Sequence, residues 1–346
     1  MGRRLLGSML ALALFIVLSA WALPGEAADN PADFYKGKII KILCSERPGG
    51  GTDSLARIVA PYLAKYTGAS TVAVENKPQG TGLVARNFIY HNAKKDGLTV
   101  GFYSGGSTVY NYLTDFPSVK YDLMGTPWIA NFLFQRWYCL AGANSPYNSI
   151  KDLKSAKGLK FGGASRGGTL SIASALIMYL FDLDGKLVTG FKGTKGVALA
   201  MRRGELDGAS GQTSNVIRNI EQGHVKPILT LDYKRDKAFP DVPTVGEVTK
   251  LTGAKKELFD SFLLVPDTKM VCVPPGTPED RVKFLRDAVG KMMKDPELIK
   301  KLKKRTGIDV EWFSNEETMG FLKQALEKKK KGVFKDLMDI VEKLRH

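Results

Sequence analysis

Residues 38–66 read KIIKILCSERPGGGTDSLARIVAPYLAKY. The spacing predicts a strand over 38–44, a glycine-rich turn over 45–52 and an amphipathic helix over 53–66. Leu55, Ile58, Val59, Tyr62 and Leu63 recur at the three- and four-residue intervals that line one helix face. A strand that passes through glycines into a helix opens an α/β unit, and the same succession returns down the chain. Strands are expected at 70–75 and 98–103, with a helix at 81–91 and a turn at 104–108 (SGGST). Beyond a strand at 137–142, a strand ending at 160–163 meets the turn 164–169 (ASRGGT) and a helix over 170–181. A helix at 196–203, a strand at 206–209, the polar turn 210–215 (SGQTSN) and a strand at 226–230 follow. After the proline-rich FPDVP at 239–243, the last third returns through 262–275 into helices at 278–295, 296–306 and 315–344. The fold class expected is α/β with largely parallel strands flanked by helices.

The chain has 346 residues, enough for about two domains. Its 44% hydrophobic and 25% charged residues exclude a disordered or coiled-coil chain. Three cysteines (Cys44, Cys139, Cys272) lie far apart in apolar runs, which excludes a thiolate metal site and predicts buried, inert thiols. Of three histidines, His91 and His224 read as surface residues and His346 is the last residue, so imidazole chemistry has little to work with. No metal and no cofactor is expected. Arg3 and Arg4 precede an uncharged run, Leu5–Leu23, and then PGEAAD, the pattern of an export signal over residues 1–27, with cleavage after Ala27 or near Ala20-Trp21-Ala22. An uncleaved anchor is the competing reading. Export places the mature chain in the periplasm of a bacterium, and turns the net charge of +16 away from nucleic acid toward anionic small molecules or a membrane face. The basic runs 300–305 and 328–331 read as solvated helix faces.

Glycine-rich turns between strand and helix leave amide N–H groups at helix N-termini, where the helix dipole favours carboxylate or phosphate. PGGGTDS lacks the Lys-Ser/Thr of a phosphate-binding loop, and no acidic residue follows it at dinucleotide-binding spacing. Asp53 reads as an N-cap. Ser104 and Ser165 stand in no nucleophile motif, so no catalytic residue is assigned and an enzyme is not expected. Arg166 could fork onto a second carboxylate, and Phe102, Tyr103 and Tyr233 could form an aromatic wall.

Several stretches carry a family resemblance: the run from Lys38 through VENKPQGTG (74–82), DGLTVGFYSGG (96–106), FKGTKGVALAMRRGELDGASG (191–211), and FPDVPTVGE (239–247) with VPPGTPEDRVKFLRDA (273–288). They resemble the periplasmic substrate-binding proteins of tripartite tricarboxylate transporters, the Bug-type receptors. The resemblance implies a two-lobed Venus-flytrap fold of type II. Lobe 1 would comprise 28–138 and 260–346, and lobe 2 would comprise 139–259. It implies a monomer that captures a small organic mono- or dicarboxylate, aromatic ones included, and hands it to a permease of large and small membrane subunits. Carried over by position, the ligand-binding residues are Gly49, Gly50, Gly51, Thr52 and Asp53, with Ser104 and Gly105 in the same lobe. The opposing turn is Ala164, Ser165, Arg166, Gly167, Gly168 and Thr169, followed by Gln212, Thr213 and Ser214. The chain departs from the family at 165–168, near 210–214 and over 255–272, which bears on the ligand. A receptor of similar fold serving an ATP-driven importer or a sensor kinase is the alternative; an exported hydrolase or a membrane-surface binder stands further off.

Overall fold

The computed structural model describes residues 30–345, so the export signal expected over 1–27 lies outside the described residues. In chain order the elements begin with α1 (Pro31–Tyr35), β1 (Ile39–Cys44), α2 (Gly51–Thr67), β2 (Thr71–Asn76), a 3₁₀ turn (Gln79–Gly82), α3 (Leu83–His91), β3 (Thr99–Ser104) and α4 (Gly105–Leu113). Next come β4 (Trp128–Gln135), β5 (Trp137–Gly142), α5 (Ile150–Ser155), β6 (Leu159–Gly162), α6 (Thr169–Leu180), β7 (Gly185–Val188), α7 (Gly193–Arg202), β8 (Gly208–Gln212), α8 (Thr213–Glu221) and β9 (Val225–Thr230). The chain finishes with α9 (Val245–Val248), α10 (Gly253–Leu263), β10 (Asp267–Cys272), α11 (Glu279–Met292), α12 (Pro296–Thr306), β11 (Trp312–Phe313), α13 (Asn315–Lys330) and α14 (Val333–Arg345).

Two sheets form. The first has the order β11-β4-β10-β3-β1-β2 and the second β7-β6-β8-β5-β9. Both are mixed, which corrects the expectation of mostly parallel sheets. Pairs β1–β2 and β1–β3 are parallel, whereas β10 runs antiparallel between β3 and β4. In the second sheet β6 pairs parallel with β7 and β8, while β5 is antiparallel to both neighbours. The strands that return from distant sequence reverse direction because the chain enters them from the opposite end of the sheet.

The chain crosses between sheets at Gln135–Trp137, where β4 ends and β5 begins; Trp137 already pairs with Gln212, two residues before the expected boundary at 139. It returns through α10 into β10. The expected helix over 315–344 is two helices, broken at Gly332, whose φ of +80° suits glycine and ends α13. After that break α14 packs on α6 and β7 of the second sheet, while α13 stays against β4 of the first. Tyr110 of α4 anchors this junction. Its ring stacks on Phe262 at 5.9 Å and meets Phe334 edge-on at 6.1 Å, and its hydroxyl donates to the Phe262 carbonyl at 3.0 Å. One apolar cluster therefore runs from Leu43 and Tyr103 under the first sheet to Phe161 and Leu176 in the second. A separate cluster fills the space between the first sheet and α2, α11 and α12.

The segments most particular to the sequence explain themselves as scaffold. In VENKPQGTG, Gly82 has φ +83°, and a methyl group there would lie 2.7 Å from Ser45 Cβ. In PDVPTVGE, Thr244 and Glu247 form a capping box on α9, and Thr244 bridges to Thr230 at the end of β9. All three thiols are buried and free; burial pushes Cys44 and Cys272 up to about 12, and Cys139 higher still. His224 is buried rather than at the surface, 3.1 Å from Arg202. No described helix is long and apolar enough to cross a membrane. Gly82→Ala should lower stability by roughly 2 kcal/mol in urea unfolding, since it meets both the strained φ and the Ser45 contact.

Candidate functional site

Four long helices begin at one place in the fold. They are α2 at Gly51, α4 at Gly105, α6 at Thr169 and α8 at Thr213. Each follows a strand, and none is capped by the side chain of its own N-cap residue. The turn before α6 lies directly on the first turn of α4. Ser107 Oγ is 3.3 Å from Thr169 Oγ1, and a methyl group on Gly106 would lie 2.9 Å from Thr169 Oγ1 and 3.1 Å from Asp267 Oδ1. Gly167 is equally required to be small, because a methyl there would sit 2.5 Å from Phe116 and 3.0 Å from Asn111 Oδ1. The two sheets' turns therefore face and touch.

The side chains gathered here are Asp267, Gln135 and Asn111, while Ser171 in the first turn of α6 lies against Gly163. Gln135 Nε2 donates to Asp267 Oδ2 at 3.0 Å, and Gln135 Oε1 accepts from the Ser214 amide at 3.2 Å and from the Ser214 hydroxyl. This links β10, the crossover and the α8 N-terminus. Asp267 is 1% exposed; Asp267 Oδ1, both side-chain atoms of Asn111 and Ser171 Oγ are buried with no hydrogen-bond partner among the described residues. Burial raises the Asp267 carboxyl, against the pull of Lys269 and of hydrogen bonds from Gln212 and Gln135. In its neutral form this carboxyl is a donor as well as an acceptor.

The expected residues fare unevenly. Gly49 to Asp53 do form the turn opening α2, but their amides are not bare. Gly49 N–H donates to Asp53 Oδ2 at 2.9 Å, Gly50 N–H to the Arg47 carbonyl at 3.0 Å and Thr52 N–H to Glu46 Oε2. Gly50, not Asp53, occupies the N-cap position. Asp53 sits three residues into the helix and reaches back, held by Asn76 Nδ2 at 2.7 Å and by Arg57. Burial alone would raise its carboxyl, yet hydrogen bonds from Arg57, Asn76 and Gly49 hold it below the ordinary carboxylate range.

Ser104 and Gly105 begin α4, Gly105 against Thr268, where a methyl group would lie 2.3 Å from Oγ1. Ala164 and Ser165 shape the α6 turn, their carbonyls accepting from Gly190 and Gly168. A methyl on Gly168 would lie 2.7 Å from Ser165 Oγ, and Thr169 faces Ser107. Arg166 is the exception. Its guanidinium pairs with Glu342 of α14 and its side chain is 51% exposed, so it is engaged outside the cleft. Gln212 accepts from Asn215 at 2.9 Å, Thr213 holds Arg136 N–H at 3.1 Å and Ser214 holds Gln135. The aromatic wall does not form: Phe102 and Tyr103 are core residues, and Tyr233 is exposed and bonded to Asp260.

Sequence reading missed Glu46, Gln135, Asp267 and Asn111. Asn111 had a signal, since it lies one turn beyond Ser107 on a helix that is otherwise apolar or small. Asp267 and Lys269 in a strand buried along its whole length were another.

Residues 55–337 match the family model described as the tripartite tricarboxylate transporter family receptor. The chain belongs to that family. A UPF0065 protein of Bordetella pertussis is 26% identical over 311 residues, covering 88% of this chain and 91% of the relative. MatC of Rhodopseudomonas palustris, solved with malate, superposes with a TM-score of 0.68 at 21% identity, over 87% of this chain and 99% of its own. Rpa4515 of R. palustris, solved with adipate, gives 0.70 at 18% identity, over 88% and 97%. At those identities the structures establish a shared two-lobed fold.

Two outcomes follow for this family receptor. A raised carboxyl means the folded state holds its proton where the unfolded chain has released it, so stability falls as pH rises above about 4. The stability of Asp267→Asn minus that of the native chain should thus increase as pH rises from about 4, in parallel denaturation curves. Arg166→Ala should change carboxylate affinity less than about twofold in calorimetry, as expected for an exposed ion pair.

Proposed function

We propose that this receptor captures a small organic diacid between its lobes in the periplasm and delivers it to a permease of large and small membrane subunits, without a catalytic step. The observation that carries the reading is the meeting of the α4 and α6 N-termini beside one buried carboxyl, Asp267, which Gln135 links to the start of α8. The N-termini of α4 and α6, which no side chain caps, add their positive ends at this buried place, which an anion answers. Asn111, beside Gly167 of the opposing turn, adds buried polar atoms without partners among the described residues. Family membership supplies the transporter, and malate and adipate in two structural neighbours supply the ligand class.

In this reading lobe 1 comprises 30–135 and 260–345 of the described residues and lobe 2 comprises 137–259. The crossing at Gln135–Trp137 serves as hinge, and α14 acts as a strap from lobe 1 onto α6. Because Ser107 and Thr169 already touch, the lobes part to admit a ligand and close again over it. At the α4–α6 junction the ligand-contacting residues are Gly105, Gly106, Ser107 and Asn111 facing Gly168, Thr169 and Ser214. The protein acts as a monomer, and its exposed basic helices are solvated faces.

Thermal-shift and calorimetric titration with malate, adipate and other organic acids tests this. At least one diacid should bind with micromolar affinity, about −8 kcal/mol, and raise the unfolding midpoint by a few degrees at saturation. Asn111→Leu should weaken that ligand roughly tenfold or more through loss of a buried polar contact. No response to any acid in the panel would end the carboxylate reading.

A further inference from the structure

The first glycine turn carries a carboxylate of its own. Glu46 Oε2 accepts the Thr52 amide on the first turn of α2, and its side chain lies so close to the turn that a methyl on Gly50 would be 2.7 Å from Glu46 Cδ. Ordinary capping does not ask for this. An acidic residue that caps a helix stands at the N-cap or three residues into the helix, and Asp53 already holds the latter position and satisfies Gly49. Glu46 stands outside the helix, before the turn, and reaches over it to an amide that lies on the anion-favouring end.

Its surroundings are those of a ligand's anion. Arg305 of α12 donates to Ser54 Oγ at 3.2 Å, on the same first turn of α2. From the other lobe α8 packs against the end of α12, where a methyl on Gly307 would be 2.8 Å from Ile217 Cδ1. The neighbouring Arg218 is half-buried, and its Nη2 donates only to Asn215 Oδ1, at 2.6 Å. Among the described residues neither Arg218 nor Arg305 forms an ion pair with a carboxylate. Burial and the field of Arg305 depress the Arg218 pKa, while Glu46 is one of the two carboxylates whose fields oppose that shift. One arginine thus stands on the first turn of α2, and a second is carried by the α8 face that meets the Gly307 end of α12.

We propose that Glu46 is a specificity-determining residue: an internal carboxylate that holds the α2 amide seat near Arg305 and Arg218 and yields it to a diacid but not to a monoacid. A monoacid arriving at this seat exchanges one carboxylate for another that is already tethered, and gains nothing from the exchange. A diacid recovers the loss through its second carboxylate, seated at the α4 and α6 termini, so occupancy requires both ends. The inference rests on the carboxylate-receptor reading above.

Calorimetric titration of the native protein, Glu46→Gln and Glu46→Ala with adipate and with hexanoate, the monoacid of equal length, tests it. Native protein should prefer adipate by at least about a hundredfold, and Glu46→Ala should bind hexanoate roughly tenfold tighter than native protein does, narrowing the preference. Glu46→Gln, which keeps an oxygen for the Thr52 amide, should show a smaller gain in the same direction and the same unfolding midpoint as native protein. Unchanged or weaker hexanoate binding in both variants, with adipate still bound by the native chain, overturns the role of Glu46 and leaves the receptor reading intact. Silence toward both acids in all three proteins overturns the receptor reading and this inference together.

Discussion

Helices that start side by side leave positive ends that some group must answer. In this receptor α2, α4, α6 and α8 all begin at the junction of the two sheets, none with a side-chain cap at its N-cap residue. The architecture forces the arrangement, because each helix follows a strand and the strands' carboxyl ends lie at that junction. What varies is the answer. At α2 the chain supplies Glu46 and Asp53; between α4 and α6 it supplies Asp267, whose burial favours the neutral form. The electrostatics of the cleft are therefore a contest between the chain's own acids and any anion that enters.

The same junction is the mechanical boundary. Gln135 sits at the last residue of β4, and its amide group holds Asp267 on one side and Ser214 on the other. Two residues later Trp137 is paired in the second sheet. A motion that separates the sheets must work against this amide bridge and against the Ser107–Thr169 contact, both local and polar. It must also carry α14, which crosses from the first-sheet helices to lie on α6. The apolar cluster anchored by Tyr110, Phe262 and Phe334 limits where bending can occur, since a close-packed core shifts between discrete arrangements more readily than it deforms. In the proposed function ligand binding and lobe movement are coupled, because the residues assigned to the ligand are the ones that join the two sheets.

Much of this was legible in the chain. The strand, glycine turn and helix at 38–66 fall within a few residues of β1 and α2, and the turns at 104–108, 164–169 and 210–215 all mark helix starts. Those patterns are local: periodicity and glycine placement act within a dozen residues. Strand direction was not legible, because the insertion of β10 between β3 and β4 depends on a return from over 130 residues away. Arg166 reads as a ligand fork until its partner Glu342 is in view, and that partner lies 176 residues off. Glu46 escaped for a different reason. In sequence it is one charged residue in a polar loop, and only the conformation of SERPGGGT brings its carboxylate back over Thr52.

The family-like segments do structural duties: Asn76 of VENKPQGTG holds the Glu46 carbonyl and Asp53, and Thr244 of PDVPTVGE caps α9 and meets Thr230. The segment 255–272 delivers Asp267 and Lys269 to the first sheet, two buried ionisable groups 4.0 Å apart. Attraction to Lys269 favours the Asp267 carboxylate, and burial, the larger effect, favours its neutral form. Scaffold and selectivity are thus written in different parts of the chain, the first in glycines and caps that fix four helix ends in place, the second in the acids set against those ends.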